Sequence, residues 1–287
     1  MTVPKIRGLF AVLWMSVMAS AHAVASDVPW FDRGHAKGRL HSNTYPNDSL
    51  LRDTSGEVAN EQAASLRLNF RIGEQSPWSL GADYQLLGRF GDLASQDSQL
   101  PGLILVPEPL PDDQRRWWDL THEITARDDR QMVQRLDRLH LGYAREQVVV
   151  RFGRQAVSWG NGLIYNPMDF LNPFDPAAVD TEYKLGDDML YGQYLFEGGS
   201  DMQFVSVARR DLDGDVTAEV GSTALKFHGF GLDREFDLLV AQHFDDTVLA
   251  AGGVTNLGEA VVRADLVFTD TESEWVTSAV VNWSYSW

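Results

Sequence analysis

From Leu66 the sequence alternates without an error: Leu66, Leu68, Phe70 and Ile72 are apolar, with Arg67, Asn69 and Arg71 between them. After the turn Gly73-Glu74-Gln75-Ser76-Pro77 the pattern returns, with Trp78, Leu80, Ala82, Tyr84 and Leu86 set against Ser79, Gly81, Asp83 and Gln85. Successive side chains of a strand point to opposite faces of a sheet, so this period of two predicts a hairpin with one apolar and one polar face.

The same signature recurs. Leu139, Leu141 and Tyr143 alternate with Arg138, His140 and Gly142; a turn at Ala144 to Gln147 leads to Val148, Val150 and Phe152 against Arg151 and Gly153. Weaker or shorter segments are expected at 37–45, 188–196, 202–209, 225–230, 236–241, 248–254, 260–268 and 275–287, which makes about twelve strands. Connections tend to alternate in length, and the longest cover residues 88–130 and 154–187. Within the first of these, Trp117, Leu120 and Ile124 fit either a helical turn or a strand extension.

The chain opens with Lys5 and Arg7, an apolar run from Gly8 to Met18, and small residues ending Ala23-Val24-Ala25. That order predicts a secretory signal peptide over residues 1–25, leaving 26–287 as a single domain. Past it no apolar run approaches the roughly 18 residues of a membrane helix, so a membrane location requires a closed barrel of strands. The sequence has no cysteine, which excludes a disulfide framework and a thiolate metal site. Its formal net charge of −17 argues against a nucleic-acid partner.

An antiparallel transmembrane β-barrel with short turns at one end and long loops at the other accounts for these features together. Aromatic residues near strand ends, at Trp78, Tyr143, Phe268, Trp275 and Trp287, are where interfacial girdles belong. A secreted β-sandwich or lipocalin-like barrel also alternates, but it needs neither the girdles nor the loop asymmetry.

One stretch breaks the pattern. Arg151 to Pro176 begins as a strand, and then Gly160, Gly162, Pro167, Pro173 and Pro176 prevent any ladder from continuing. The resulting loop carries Trp159, Leu163, Ile164, Tyr165, Met168, Phe170, Leu171 and Phe174, with Asp169 and Asp175 among them. So apolar a loop predicts a fold into the lumen, either as a constriction built from Trp159, Tyr165, Asp169, Phe170, Phe174 and Asp175, or as a packing latch that braces the barrel.

The polar faces of the strands supply Arg67, Arg71, Arg138, His140 and Arg151 as pore-lining candidates, with Lys226 as a further inward cation. Several arginines on an inner face call for water or partners, which predicts a wet lumen. The loops offer Asp169, Asp175, Asp180, Glu182, Asp187 and Asp188 opposite them, and a basic wall facing an acidic loop would set a transverse field favouring polar or anionic solutes. Structural ion pairs filling a closed lumen are the competing expectation.

Arg135-Leu136-Asp137-Arg138-Leu139-His140-Leu141-Gly142-Tyr143, Gly153-Arg154-Gln155 with Ser158-Trp159-Gly160, Asn166-Pro167 with Asn172-Pro173, and Gly186-Asp187-Asp188-Met189-Leu190-Tyr191 resemble a poorly characterised group of porin-like bacterial outer-membrane barrels. The resemblance is best over residues 135–287. It implies a barrel in the outer membrane but fixes no substrate. Members of the group continue past a strand like Val280 to Trp287, so the resemblance also implies that this chain is a shortened member.

Catalytic patterns are weak. No histidine has a serine two residues on, the spacing that would place base and nucleophile on one strand face. His122-Glu123 lacks the second histidine of a zinc helix. Asp211, Asp213 and Asp215 begin like a calcium loop, but Gly214 precedes the third Asp and Ser222 stands where Glu is needed. The expectation is a non-enzymatic, porin-like channel in the bacterial outer membrane, with no cofactor. Its partners would be the lipid bilayer, lipopolysaccharide, the barrel assembly machinery and small solutes. An outer-membrane hydrolase and a closed structural or assembly barrel are the alternatives.

Overall fold

Alternation in the sequence becomes an antiparallel sheet. The computed structural model describes residues 15–24, 30–49, 52–53, 56–73, 75–92, 110–174, 182–231 and 234–285. Its strands are β1 (Met15–Val24), β2 (Phe31–Thr44), β3 (Val58–Ile72), β4 (Trp78–Gly91), β5 (Thr121–Arg127), β6 (Arg130–Arg145) and β7 (Val148–Gln155), then β8 (Asp187–Leu195), β9 (Asp201–Val207), β10 (Ser222–Gly231), β11 (Arg234–His243), β12 (Asp246–Leu257), β13 (Ala260–Asp270) and β14 (Trp275–Tyr285). Neighbours in sequence are neighbours in the sheet, except that β4 lies beside β6 while β5 pairs with β6 off the main path. The all-β, antiparallel class is therefore as expected. Among the described residues no helix is long and apolar enough to cross a membrane.

Two strands were not expected. β1 falls in the stretch predicted to be a leader and pairs with β2 from Met15↔Ser42 to Val24↔Arg33. β5 falls in the first long connection, where it resolves the choice left open at Ile124 in favour of a strand extension.

Contacts divide the chain into two compact units. The first comprises Met1–Asn69, Tyr84–Pro111 and Thr121–Arg135; the second comprises Phe70–Asp83, Asp112–Leu120 and Leu136–Trp287. In the first unit the buried residues on the strands include Glu61, Arg67, Arg89 and Arg135. Arg89 Nη2 meets Glu61 Oε2 at 2.6 Å, so these charges are buried as a pair.

In the second unit the partition is inverted relative to a water-soluble sheet. One face presents Leu190, Phe204, Leu225, Leu238, Val240, Leu249, Leu266 and Phe268, each between 38% and 52% exposed. The opposite face buries Asp187, Asp201, Lys226, Asp237 and Asp265. The register aligns the exposed face into rungs. Met202, Phe227, Leu238, Ala251, Leu266 and Ala279 form one rung, and Phe204, Leu225, Val240, Leu249, Phe268 and Thr277 the next.

Polar residues bound this band. The Gln242 rung holds Ser206, Thr223, Thr247 and Asp270, and at the other end Arg234 aligns with Thr255. Eight residues separate the two edges along β11, about 27 Å of strand, which a tilt of about 40° reduces to roughly 20 Å of height.

Turns follow the local chemistry. Phe244 and Asp245 join β11 to β12 with φ of 50° and 70°, the pair of positive values that a two-residue hairpin needs to match strand twist. Trp78 and Tyr143 meet at the short-turn end with ring centroids 4.9 Å apart. Trp287, expected in the same aromatic set, lies outside the described residues.

Candidate functional site

The site is built around the connection from β7 to β8, residues 156–186. Gly153 has φ +129, and a Cβ there would collide with the Leu139 carbonyl oxygen of the neighbouring strand. Gly160 has φ +105, which turns the chain away from the ladder. The loop then packs along the inner face of β8 to β13. Trp159 (5% exposed), Met168 (0%) and Leu171 (2%) share a core with Met189, Tyr191, Val205, Val207, Ala224, Leu239, Ala241, Val248, Ala250 and Val267. Small inward residues make the room: a Cβ on Gly252 would meet Met168 Cε at 3.0 Å.

Polar anchors fix the same loop. Asn161 donates its backbone N–H to Asp265 Oδ2 at 2.7 Å, and its Nδ2 donates to Asp265 Oδ1 at 2.8 Å and Asp237 Oδ2 at 2.9 Å. Trp159 Nε1 donates to Gln203 Oε1 at 2.8 Å, and the Leu163 N–H donates to Asn282 Oδ1 at 3.0 Å. The loop therefore touches β9, β11, β13 and β14 through side chains far from it in sequence.

Lys184 ties the loop to itself. Its Nζ meets Asp169 Oδ1 at 2.5 Å and donates to the Val157 carbonyl at 2.7 Å. Burial pushes the Asp169 carboxyl above its ordinary value and the Lys184 ammonium below its own; in each case the partner opposes the shift.

A charged network holds the loop's base. Arg154, 0% exposed, grips Asp188 with two bonds of 2.8 and 3.0 Å and Asp113 with one of 2.7 Å. Asp113 also accepts from Arg116 Nη1 at 3.1 Å, and Arg116 Nε donates to the Gly186 carbonyl at 2.7 Å. Asp187 pairs with Arg209 at 2.6 Å. Residues 112–120 are thereby fastened to β7 and β8. The sequence marks Arg154, Asp187 and Asp188 but not whom they meet, because Arg154 joins Asp188 and Asp113, and Asp187 joins Arg209, across separations of 34, 41 and 22 residues.

The expected wall residues are divided. Arg67 is buried in the first unit. In the second, His140 lies against Gly81, with Arg151, Arg71, Asp83 and Arg138 as its charged neighbours. Arg71 pairs with Asp83 at 2.6 Å, Arg138 with Asp137 at 2.7 Å, and the Arg151 guanidinium stacks 4.8 Å from the Tyr191 ring centroid. Four of the five predicted lining residues thus converge on one inward patch.

Their partners are not the expected ones. The loop carboxylates are expected to face these arginines, yet Asp169 pairs with Lys184, Asp187 with Arg209 and Asp188 with Arg154, while Arg71 and Arg138 use wall carboxylates and Arg151 stacks on Tyr191. Nearer partners win because a carboxylate adjacent on the strand or its neighbour needs no loop to be ordered. Lys226 likewise pairs across the ladder with Asp237 at 2.7 Å.

Of the constriction residues, Trp159, Asp169 and Phe170 lie on the inner face, with Phe170 4.9 Å from the His243 ring. Phe174 is half-buried, whereas Tyr165 is exposed beside Ile164, which is 97% exposed. The apolar residues Leu163, Ile164 and Tyr165 therefore do not enter the core that Met168 and Leu171 join. Asp175 and Asp180 lie outside the described residues.

A serine–histidine contact does exist, across strands and not along one. Ser222 Oγ lies 2.7 Å from His243 Nδ1, and Arg209 Nη1 donates to the same Oγ at 2.7 Å. Ser222 is buried, and among the described residues no carboxylate bonds the other nitrogen of His243. The acidic turn is also accounted for: Asp211 Oδ1 accepts the N–H groups of Asp213 and Asp215 at 2.9 Å each. Among the described residues no group of three or more side chains is placed to hold a metal.

Compared with protein-family profiles, curated proteins and solved structures, the chain finds no match.

Proposed function

We propose that the chain is a porin-like β-barrel of a bacterial outer membrane that passes small polar or anionic solutes, with the loop at 158–176 folded in as its constriction. The observation that carries this reading is the inverted partition of β7 to β14: leucine, valine and phenylalanine exposed on one face, aspartate and lysine buried on the other. An apolar band this continuous is too large for a surface in water, and its height of roughly 20 Å approaches that of a bilayer-facing girdle. The bilayer and lipopolysaccharide are then its surroundings and the barrel assembly machinery its route there; residues 1–25 are the export signal of the precursor, and the barrel is formed by residues 26–287, without β1.

Passage without chemistry is supported by the Ser222–His243 pair, whose serine is buried and already held by Arg209. A net positive inner patch of Arg71, Arg138 and Arg151 against Asp83 and Asp137 supports anionic solutes. A second reading, a closed barrel with the loop as plug, is favoured by the burial of Trp159, Met168 and Leu171 in a true apolar core. Reconstitution into a planar bilayer separates the two: discrete current steps support the channel, and a folded, inserted but silent protein supports the plug.

A further inference from the structure

Beyond the loop's core, toward the short-turn end of β10 to β13, the inner face opens into a cavity of about 720 Å³ whose lining includes Phe230, Glu235, Val254, Asn256, Val261 and Arg263. That volume is in the range of small-molecule sites. Glu235, Val254, Arg263 and Asn282 lie in one rung, because Glu235 pairs with Val254, Val254 with Arg263 and Arg263 with Asn282. The acid and the base therefore stand two strand spacings apart, about 10 Å, with the valine between them.

Elsewhere on this face the charges have partners: Lys226 pairs with Asp237, and Asp265 accepts hydrogen bonds from Asn161. Among the described residues neither Glu235 nor Arg263 makes an ion pair; the Arg263 guanidinium donates only to Ser284 Oγ, at 3.2 Å. At the cavity's edge Phe230 is fixed by the His228 ring, 4.8 Å away, which Asp237 holds in turn at 2.9 Å.

We infer that this cavity is a binding site for a small amino-carboxylate, its carboxylate on Arg263, its ammonium on Glu235 and its apolar linker over Val254 and Phe230. Arg263 presents a planar fork with free donors, the geometry that recognises a carboxylate, and Glu235 supplies the complementary acceptor for an ammonium. A solute with one charge only would satisfy one of the two. The inference deepens the channel reading by naming a solute class, but the binding it describes is an equilibrium property that needs no current.

The test titrates ε-aminohexanoate, hexanoate and hexylamine, by NMR line broadening of each probe, against the refolded full chain in detergent micelles. ε-Aminohexanoate should bind about fivefold more tightly than either of the others, the scale of a partly exposed ion pair. Glu235→Gln should erase that advantage and leave hexanoate binding unchanged, whereas Arg263→Gln should weaken hexanoate and ε-aminohexanoate alike. Should Arg263→Gln fail to refold, Arg263→Lys, which keeps the charge but not the fork, should weaken both carboxylates by a smaller factor. Equal affinity for the three probes, absence of binding by all of them, or an advantage that survives Glu235→Gln overturns the site. A silent bilayer with the binding pattern intact would instead reject the channel and retain the site.

Discussion

Leu238 lies in the middle of the exposed apolar band, four residues from the Arg234 edge and four from the Gln242 edge along β11, and its rung neighbours Phe227 and Ala251 are apolar. It is 52% exposed. In water, replacing so exposed a leucine by arginine changes stability by no more than about 0.5 kcal/mol. At the midplane of a bilayer the same change costs about 2 to 4 kcal/mol, falling to about 0 to 1 near the interface. At about 1.4 kcal/mol per factor of ten, Leu238→Arg should lower the folded fraction's equilibrium by roughly 30- to 1,000-fold. Gln242→Arg, on the edge rung, should lower it less than about tenfold. The assay is urea titration of protein refolded into lipid vesicles, with heat-modifiable gel mobility reporting the folded form. Equal stability of both variants, or loss at Gln242 alone, would refute the placement of this face in lipid.

Three further outcomes follow from the loop and its base. Arg154→Met should destabilise by about 3 to 5 kcal/mol, since it strands the buried Asp188 and Asp113 carboxylates, and adding Asp188→Asn and Asp113→Asn should recover part of the loss; urea midpoints of the two variants check this. Asp169→Asn alone should loosen the loop, exposing Trp159 to an aqueous fluorescence quencher, while Asp169→Asn with Lys184→Met should keep it shielded, because burial disfavours both charged forms and an apolar pair avoids that cost. Gly153→Ala should cost about 1 to 3 kcal/mol through its positive φ and the collision with the Leu139 carbonyl, read as a lowered midpoint in the same titration.

Facing was the most legible property. Leu225, Leu238, Leu249, Leu266 and Phe268 emerge on one face because a period of two depends only on each strand's own residues. Partners were not legible in the same way. Asp113, Arg154 and Asp188 meet only because β7 and β8 pair and residues 112–120 fold back onto them, and sequence spacing carries no record of that closure. At Asp137 and Arg138 the pattern itself fails: adjacent residues are both largely buried and pair with each other, so Arg138 and His140 could be read as inward while Asp137 could not. Within the loop, apolar character alone did not separate Met168 and Leu171, which enter the core, from Ile164, which does not. The small inward set Ala224, Ala241, Ala250 and Gly252 was the signal that a segment must fill this part of the inner face.

Single-channel current reports whether this chain forms a membrane channel narrowed by its own loop. Refolded wild-type protein and a variant with residues 163–174 replaced by a Gly-Ser bridge are compared in planar bilayers at equal salt, each first verified as folded by heat-modifiable mobility. Discrete steps are expected for the wild type and larger steps for the shortened loop, since removing Met168, Phe170 and Leu171 empties the inner face of β8 to β13. Steps of equal size in both would show that the loop is no constriction, and the absence of current from both folded proteins would contradict the channel itself.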